Sequence, residues 1–148
     1  MTVTLAFRKG HKQDWLSRLI MYFDKSKYDH VEMIIGTVWI GSHLKTGVEV
    51  HKLRKPMKDS WDYVRVTVDD NLNHKAVEFI NSLQGTRYDY VGAIFGELLG
   101  ITMLNQYDDY FCSELICSIL QEFDSNEVRG LNPVNVSPQE LYDLYKEQ

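Results

Sequence analysis

Cys112 and His30 are the residues of this chain whose types could carry out nucleophilic chemistry together. A cysteine nucleophile needs a base, and that base is usually a histidine distant in sequence. Five histidines are available. His11 and His74 stand at the polar starts of helical patterns, His51 lies among lysines, and His43 follows a hairpin pattern. His30 alone opens a strongly apolar β-like stretch, Asp29-His-Val-Glu-Met-Ile-Ile-Gly. Glu32 is two residues on, so on a strand the imidazole and the carboxylate emerge from one face. A carboxylate so placed can accept the imidazole N–H, fix the tautomer and stabilise the charged ring.

The thiol belongs to Tyr110-Phe-Cys-Ser-Glu-Leu-Ile-Cys-Ser-Ile-Leu. Leu115, Ile116, Ile119 and Phe123 follow Cys112 at the spacing of one helix face, so the pattern predicts a buried helix with Cys112 on its core side. Asp108 and Asp109 just ahead are helix-capping residue types, which places the cysteine in the first turn near the positive end of the helix dipole. That environment lowers a thiol pKa from about 8.5 to roughly 3.5–7.5. Burial alone is the plainer role for a cysteine. Cys117, roughly 140° further round a helix of 3.6 residues per turn, reads as packing.

The elements that must position these residues follow from the chain in order. Thr2 to Phe7 reads as a strand and His11 to Phe23 as a helix. Asp29 to Ser42 reads as a hairpin about Gly36-Thr37, and two further alternating stretches begin at Gly47 and Tyr63. From Asp69 the period lengthens, giving a helix with Ala76, Val77, Phe79, Ile80 and Leu83 that Gly85 can close, and another over Asp89 to Leu99. Gly92, Gly96 and Gly100 leave a smooth face on that second helix. Ser137-Pro-Gln-Glu is a capping box opening a final helix. Strands first and helices after predict an α+β fold in a single domain over residues 1–148.

Composition is that of a globular protein, 44% hydrophobic and 25% charged. Residues 1–58 hold eleven Lys and Arg against five Asp and Glu, while 59–148 hold five against sixteen. Lys45, Lys52, Arg54, Lys55 and Lys58 gather the positive charge on one loop, able to touch an anionic substrate or membrane surface. The acidic total, −5, and the lack of a nucleic-acid motif argue against nucleic acid as partner. Two cysteines five apart on one helix imply no disulfide framework, and the N-terminus reads as a strand rather than a signal peptide; a cytoplasmic location is expected. The apolar run from Val91 to Leu104, interrupted by Glu97, falls short of the roughly twenty residues that span a bilayer. No cofactor is expected. His30, Glu32 and Cys112 lack the paired spacings of a zinc site, so no metal is expected either.

Together, Asp29-His-Val-Glu-Met-Ile-Ile-Gly, Gly47-Val-Glu-Val, Gly85-Thr-Arg-Tyr-Asp-Tyr, Phe111-Cys-Ser-Glu-Leu-Ile and Ser137-Pro-Gln-Glu-Leu resemble the circularly permuted branch of the NlpC-type papain-like superfamily, the YiiX-like amidases. Lecithin retinol acyltransferase and its phospholipase relatives look like more distant members. The permuted order, histidine strand before cysteine helix, is the order here. The resemblance implies an antiparallel sheet or barrel packed on a central cysteine-bearing helix, and a cysteine hydrolase of peptide, peptidoglycan-like or lipid amides. Cys112 would be nucleophile, His30 base and then acid, and Glu32 the orienting residue. In some members that third role falls about twelve residues after the histidine, which here is Ser42, with His43 beside it. The backbone N–H of Cys112 would serve the oxyanion, helped by Tyr88 or Tyr110. An acyltransferase or lipase on a membrane surface and a catalytically silent binding module are the competing readings. An enzyme acting on cell wall would reach it by lysis or on a phage particle.

Overall fold

The computed structural model describes residues 1–10, 26–43, 47–52, 60–83 and 108–147. Among these residues five strands form one antiparallel sheet: β1 (Thr2–Lys9), β2 (Tyr28–Ile35), β3 (Val38–His43), β4 (Gly47–Lys52) and β5 (Trp61–Thr67), in the order β4-β3-β2-β1-β5. Among the described residues three helices follow: α1 (Asn73–Leu83), α2 (Asp108–Glu122) and α3 (Pro138–Tyr145). The α+β class is therefore what the change of period predicts. The predicted helices over His11 to Phe23 and Asp89 to Leu99 lie outside the described residues, as do Lys45, Arg54, Lys55 and Lys58 of the basic loop.

β2 and β3 are joined by the two-residue turn Gly36-Thr37, with Ile35 paired to Val38. Gly36 sits at φ +60°, a left-handed conformation natural to glycine at the first centre of a II′ hairpin turn. β1 pairs with β2 on one side and β5 on the other, so the chain's first strand lies inside the sheet. The Met1 ammonium donates to the Val68 carbonyl at 2.8 Å, tying the two chain segments at that end.

Register decides what each face carries. Phe7 faces Val31 and Leu5 faces Met33 across β1 and β2; Val3, Ile40 and Val66 join them on the same side in the apolar core. α2 packs there, against β2 and β3, with α1, α3 and the short turns around Asn126–Val128 and Pro133–Asn135 enclosing its other sides. Enclosure explains why the helix buries Cys117 and Leu120 as well as the predicted stripe of Cys112, Leu115, Ile116, Ile119 and Phe123.

A register shift between Arg8 and Lys9 puts His30 opposite Arg8 but Tyr28 opposite Lys9, with Asp29 taken up in the irregularity. Simple alternation would send Tyr28 to the His30 side. Instead it joins the core, 5.4 Å from the Phe7 ring and 4.5 Å from that of Tyr142 on α3. Its hydroxyl donates to Asp62 at 2.7 Å, and Lys9 and Lys27 reach the same carboxylate at 2.7 Å each. Burial opposes ionisation of Asp62, but hydrogen bonds from Lys27, Lys9 and Tyr28 outweigh it and hold the carboxyl well below its usual range. Burial, then the hydrogen bond to Asp62, pushes the Tyr28 hydroxyl far above its ordinary value.

α3 opens as predicted. The Ser137 hydroxyl accepts from the Glu140 amide at 3.2 Å, and the Glu140 carboxylate accepts from the Ser137 amide at 2.7 Å, with Pro138 at the first helical position.

Candidate functional site

His30 and Glu32 do meet. Both are 5% exposed on β2, and the imidazole Nε2 lies 3.1 Å from Glu32 Oε1. Gly41 on β3 makes room for this pair, because a Cβ there would stand 2.9 Å from Glu32 Cγ and 3.1 Å from Oε1. Trp61 of β5 packs edge-on against the His30 ring at 6.1 Å, and Trp39 of β3 packs edge-on against Trp61 at 5.5 Å. Aromatic neighbours exclude water and strengthen a hydrogen bond between ionisable groups. Arg8, opposite His30, donates Nε to the buried Asp29 carboxylate at 2.8 Å.

Cys112 is fully buried in the core cluster that also holds Val31 and Met33. Alternation along β2 turns His30 and Glu32 to the opposite face. Ser42, 8% exposed, falls two residues after Ile40 on β3 and so shares the Cys112 side. The structure thus joins His30 with Glu32, and puts Ser42 on the side of Cys112.

The last pair of the β2–β3 ladder is Met33–Ile40, although β2 extends back to Tyr28 and β3 on to His43. The two strands on which α2 rests therefore stop pairing before the level of His30.

α2 takes in Asp108 and Asp109, which were expected to stand just ahead of it. Cys112 is then the first residue beyond one full turn, where the dipole's effect is already falling, and its amide has the Asp108 carbonyl at the i−4 position. Tyr88 lies outside the described residues; Tyr110 lies on α2, with its side chain outside the description.

Two features escaped the sequence reading. Burial pushes the Glu114 carboxyl up to about 7, making it a group that titrates near neutrality beside the cysteines of α2. The signal available was a lone acid inside an apolar helical run. Burial, with Glu114 adding to it, pushes the Cys117 thiol up to about 11, in keeping with a packing role. The Trp61–His30 contact had no local signal, because it depends on β1 lying between β2 and β5.

Among the described residues no group of three or more His, Cys, Asp and Glu could hold a metal ion, and no helix is long and apolar enough to cross a membrane. No family model, no curated protein and no solved structure matches the chain.

Proposed function

We propose that the chain is a cysteine hydrolase of permuted papain-like fold, cleaving an amide or isopeptide bond through a thioester on Cys112. The observation that carries the reading is the buried His30–Glu32 hydrogen bond at 3.1 Å, flanked by Trp61. A carboxylate beside an imidazole holds one tautomer and stabilises the imidazolium that forms when a thiol gives up its proton. With Nε2 engaged by Glu32, proton exchange with the thiol falls to Nδ1. The reading requires Cys112 to reach Nδ1 where β2 and β3 stop pairing, beneath the helix that rests on both.

In the reaction the Cys112 proton passes to His30 as the sulfur attacks the carbonyl carbon. Collapse of the tetrahedral adduct breaks the C–N bond, the imidazolium proton goes to the leaving amine, and the acyl group remains on sulfur. Water then attacks the thioester, its proton going to His30; the C–S bond breaks, and the thiol regains its proton as the acid leaves. Ser42, buried on the Cys112 side, is assigned in this reading as a hydroxyl donor to the oxyanion. Peptides, peptidoglycan-like isopeptides and lipid amides all present the required carbonyl. A lipid or amine acceptor in place of water would turn the same intermediate to acyl transfer.

A second reading, a binding module whose thiol is core packing, is favoured by one observation: Cys112 and His30 occupy opposite faces of the sheet. Alkylation by iodoacetamide between about pH 5 and 9, read separately for each cysteine by peptide mass spectrometry, separates the two. The hydrolase requires Cys112 to react as a thiolate below about pH 7 and to lose that reactivity in His30→Ala, while Cys117 stays inert. Two equally sluggish cysteines, indifferent to His30→Ala, assign the chain to the binding module.

A further inference from the structure

α3 and the preceding loop enclose an open groove of about 560 Å³, away from the His30–Glu32 pair. Its apolar surface comes from Leu131, Val136 and Leu144, with Glu140, Asp143 and Asn135 along its polar side. Leu131 is 38% and Leu144 39% exposed, so two of the four exposed large apolar side chains among the described residues share this groove. Glu140, Asp143 and Leu144 stand three and four apart on α3, which puts both carboxylates and the leucine on one stripe.

Charge selects the occupant. No Lys or Arg is among the described residues lining the groove, and residues 108–148 hold nine Asp and Glu against two Lys and Arg. Lys146 bonds Asp143 at 2.6 Å as an exposed i,i+3 pair. A pair of that kind contributes little and is readily exchanged for another cation. Glu140 accepts the Ser137 amide through Oε2 and also lines the groove.

We infer that this groove docks a short cationic segment of a partner protein, an aliphatic side chain entering between Leu131 and Leu144 while Lys or Arg heads meet Asp143 and Glu140. Apolar contact supplies affinity and the carboxylates supply selectivity and association rate. The site is independent of the hydrolase reading.

The test uses the full chain on arrayed peptides of about ten residues in which Lys/Arg content and Leu content vary independently. Solution binding of the best peptide is then followed by fluorescence anisotropy at about 50 and 300 mM salt. Capture that needs both Lys/Arg and Leu, weakens with salt, and falls about tenfold in Leu144→Glu and in Asp143→Lys is the expected result. Val77→Glu, an exposed apolar position on α1, should bind as the parent does. The inference is overturned if no peptide is captured, if capture ignores charge or leucine, or if both groove variants bind like the parent. A second copy as occupant also overturns it; that would appear as a concentration-dependent mass in sedimentation, lost in Leu144→Glu.

Discussion

Replacing Gly41 with Ala should loosen the His30–Glu32 pair from the neighbouring strand without touching either residue. The added methyl would lie 2.9 Å from Glu32 Cγ and 3.1 Å from its Cδ and Oε1, whereas carbon atoms at ease stand about 3.5–4.0 Å apart. Glu32 is buried, and the closest atom is in the middle of its side chain, so the carboxylate must move with it. Overpacking of this kind costs about 1–3 kcal/mol, whereas losing a glycine from the unfolded chain returns about 0.4–1 kcal/mol. The clash wins, leaving a net loss of about 1–2 kcal/mol, or roughly 2–8 °C in Tm for a domain of this size. Urea unfolding of Gly41→Ala, Glu32→Ala and the double variant makes a cycle that isolates the contact. In the Glu32→Ala background the Cγ is gone, so the added methyl at position 41 should cost nothing or stabilise slightly. If Gly41→Ala costs the same in both backgrounds, Glu32 does not lie over Gly41 and the description of the site is wrong.

Glu114→Gln should flatten the pH dependence of stability. With the folded carboxyl at about 7 and the ordinary value at 4.5, the folded state holds the proton more tightly, so stability falls as pH rises through that window. The loss is about 1–2 kcal/mol once solvent screening is allowed for, and unfolding at pH 5 and 8 should show it in the parent alone. Asp62 behaves oppositely: its folded carboxyl is depressed, so its contribution is present above the ordinary 3.8 and is lost as pH falls through the lower folded value. Asp62→Asn should therefore remove part of the acid sensitivity seen in unfolding below about pH 4. Ser137→Ala removes one half of the α3 capping box and should cost about 1 kcal/mol in urea unfolding.

Features set by neighbours in sequence were legible in it. The apolar stripe of α2, the Gly36-Thr37 turn, the capping box at Ser137 and the shared face of His30 and Glu32 each depend on a few adjacent residues and their period. Features set by long-range pairing were not. Nothing local says that β1 enters between β2 and β5, and hence that Trp61 lies against His30. The register shift at Arg8 and Lys9 also has no local mark, yet it turns Tyr28 into the core, where it anchors Asp62 and α3. The placement of Cys112 relative to His30 has no local mark for a similar reason. Helical spacing shows that the cysteine faces a core, and strand spacing shows that His30 shares a face with Glu32. Which face of the sheet meets the helix is fixed only when Val31 and Met33 pair with Phe7 and Leu5. Two aspartates ahead of an apolar run read equally well as a cap and as a first turn, and the helix takes them in.

The central claim of the hydrolase account is that the Cys112 thiol meets the His30 ring. His30→Cys in a Cys117→Ser background tests it directly, because a disulfide requires Cα atoms about 4.4–6.8 Å apart with converging side chains. Mild oxidation, followed by thiol counting and mass mapping on protein whose circular dichroism matches the parent, should find residues 30 and 112 bridged. If both thiols stay free in the folded protein, the two residues lie on separate sides of the sheet and the nucleophile–base pair does not exist.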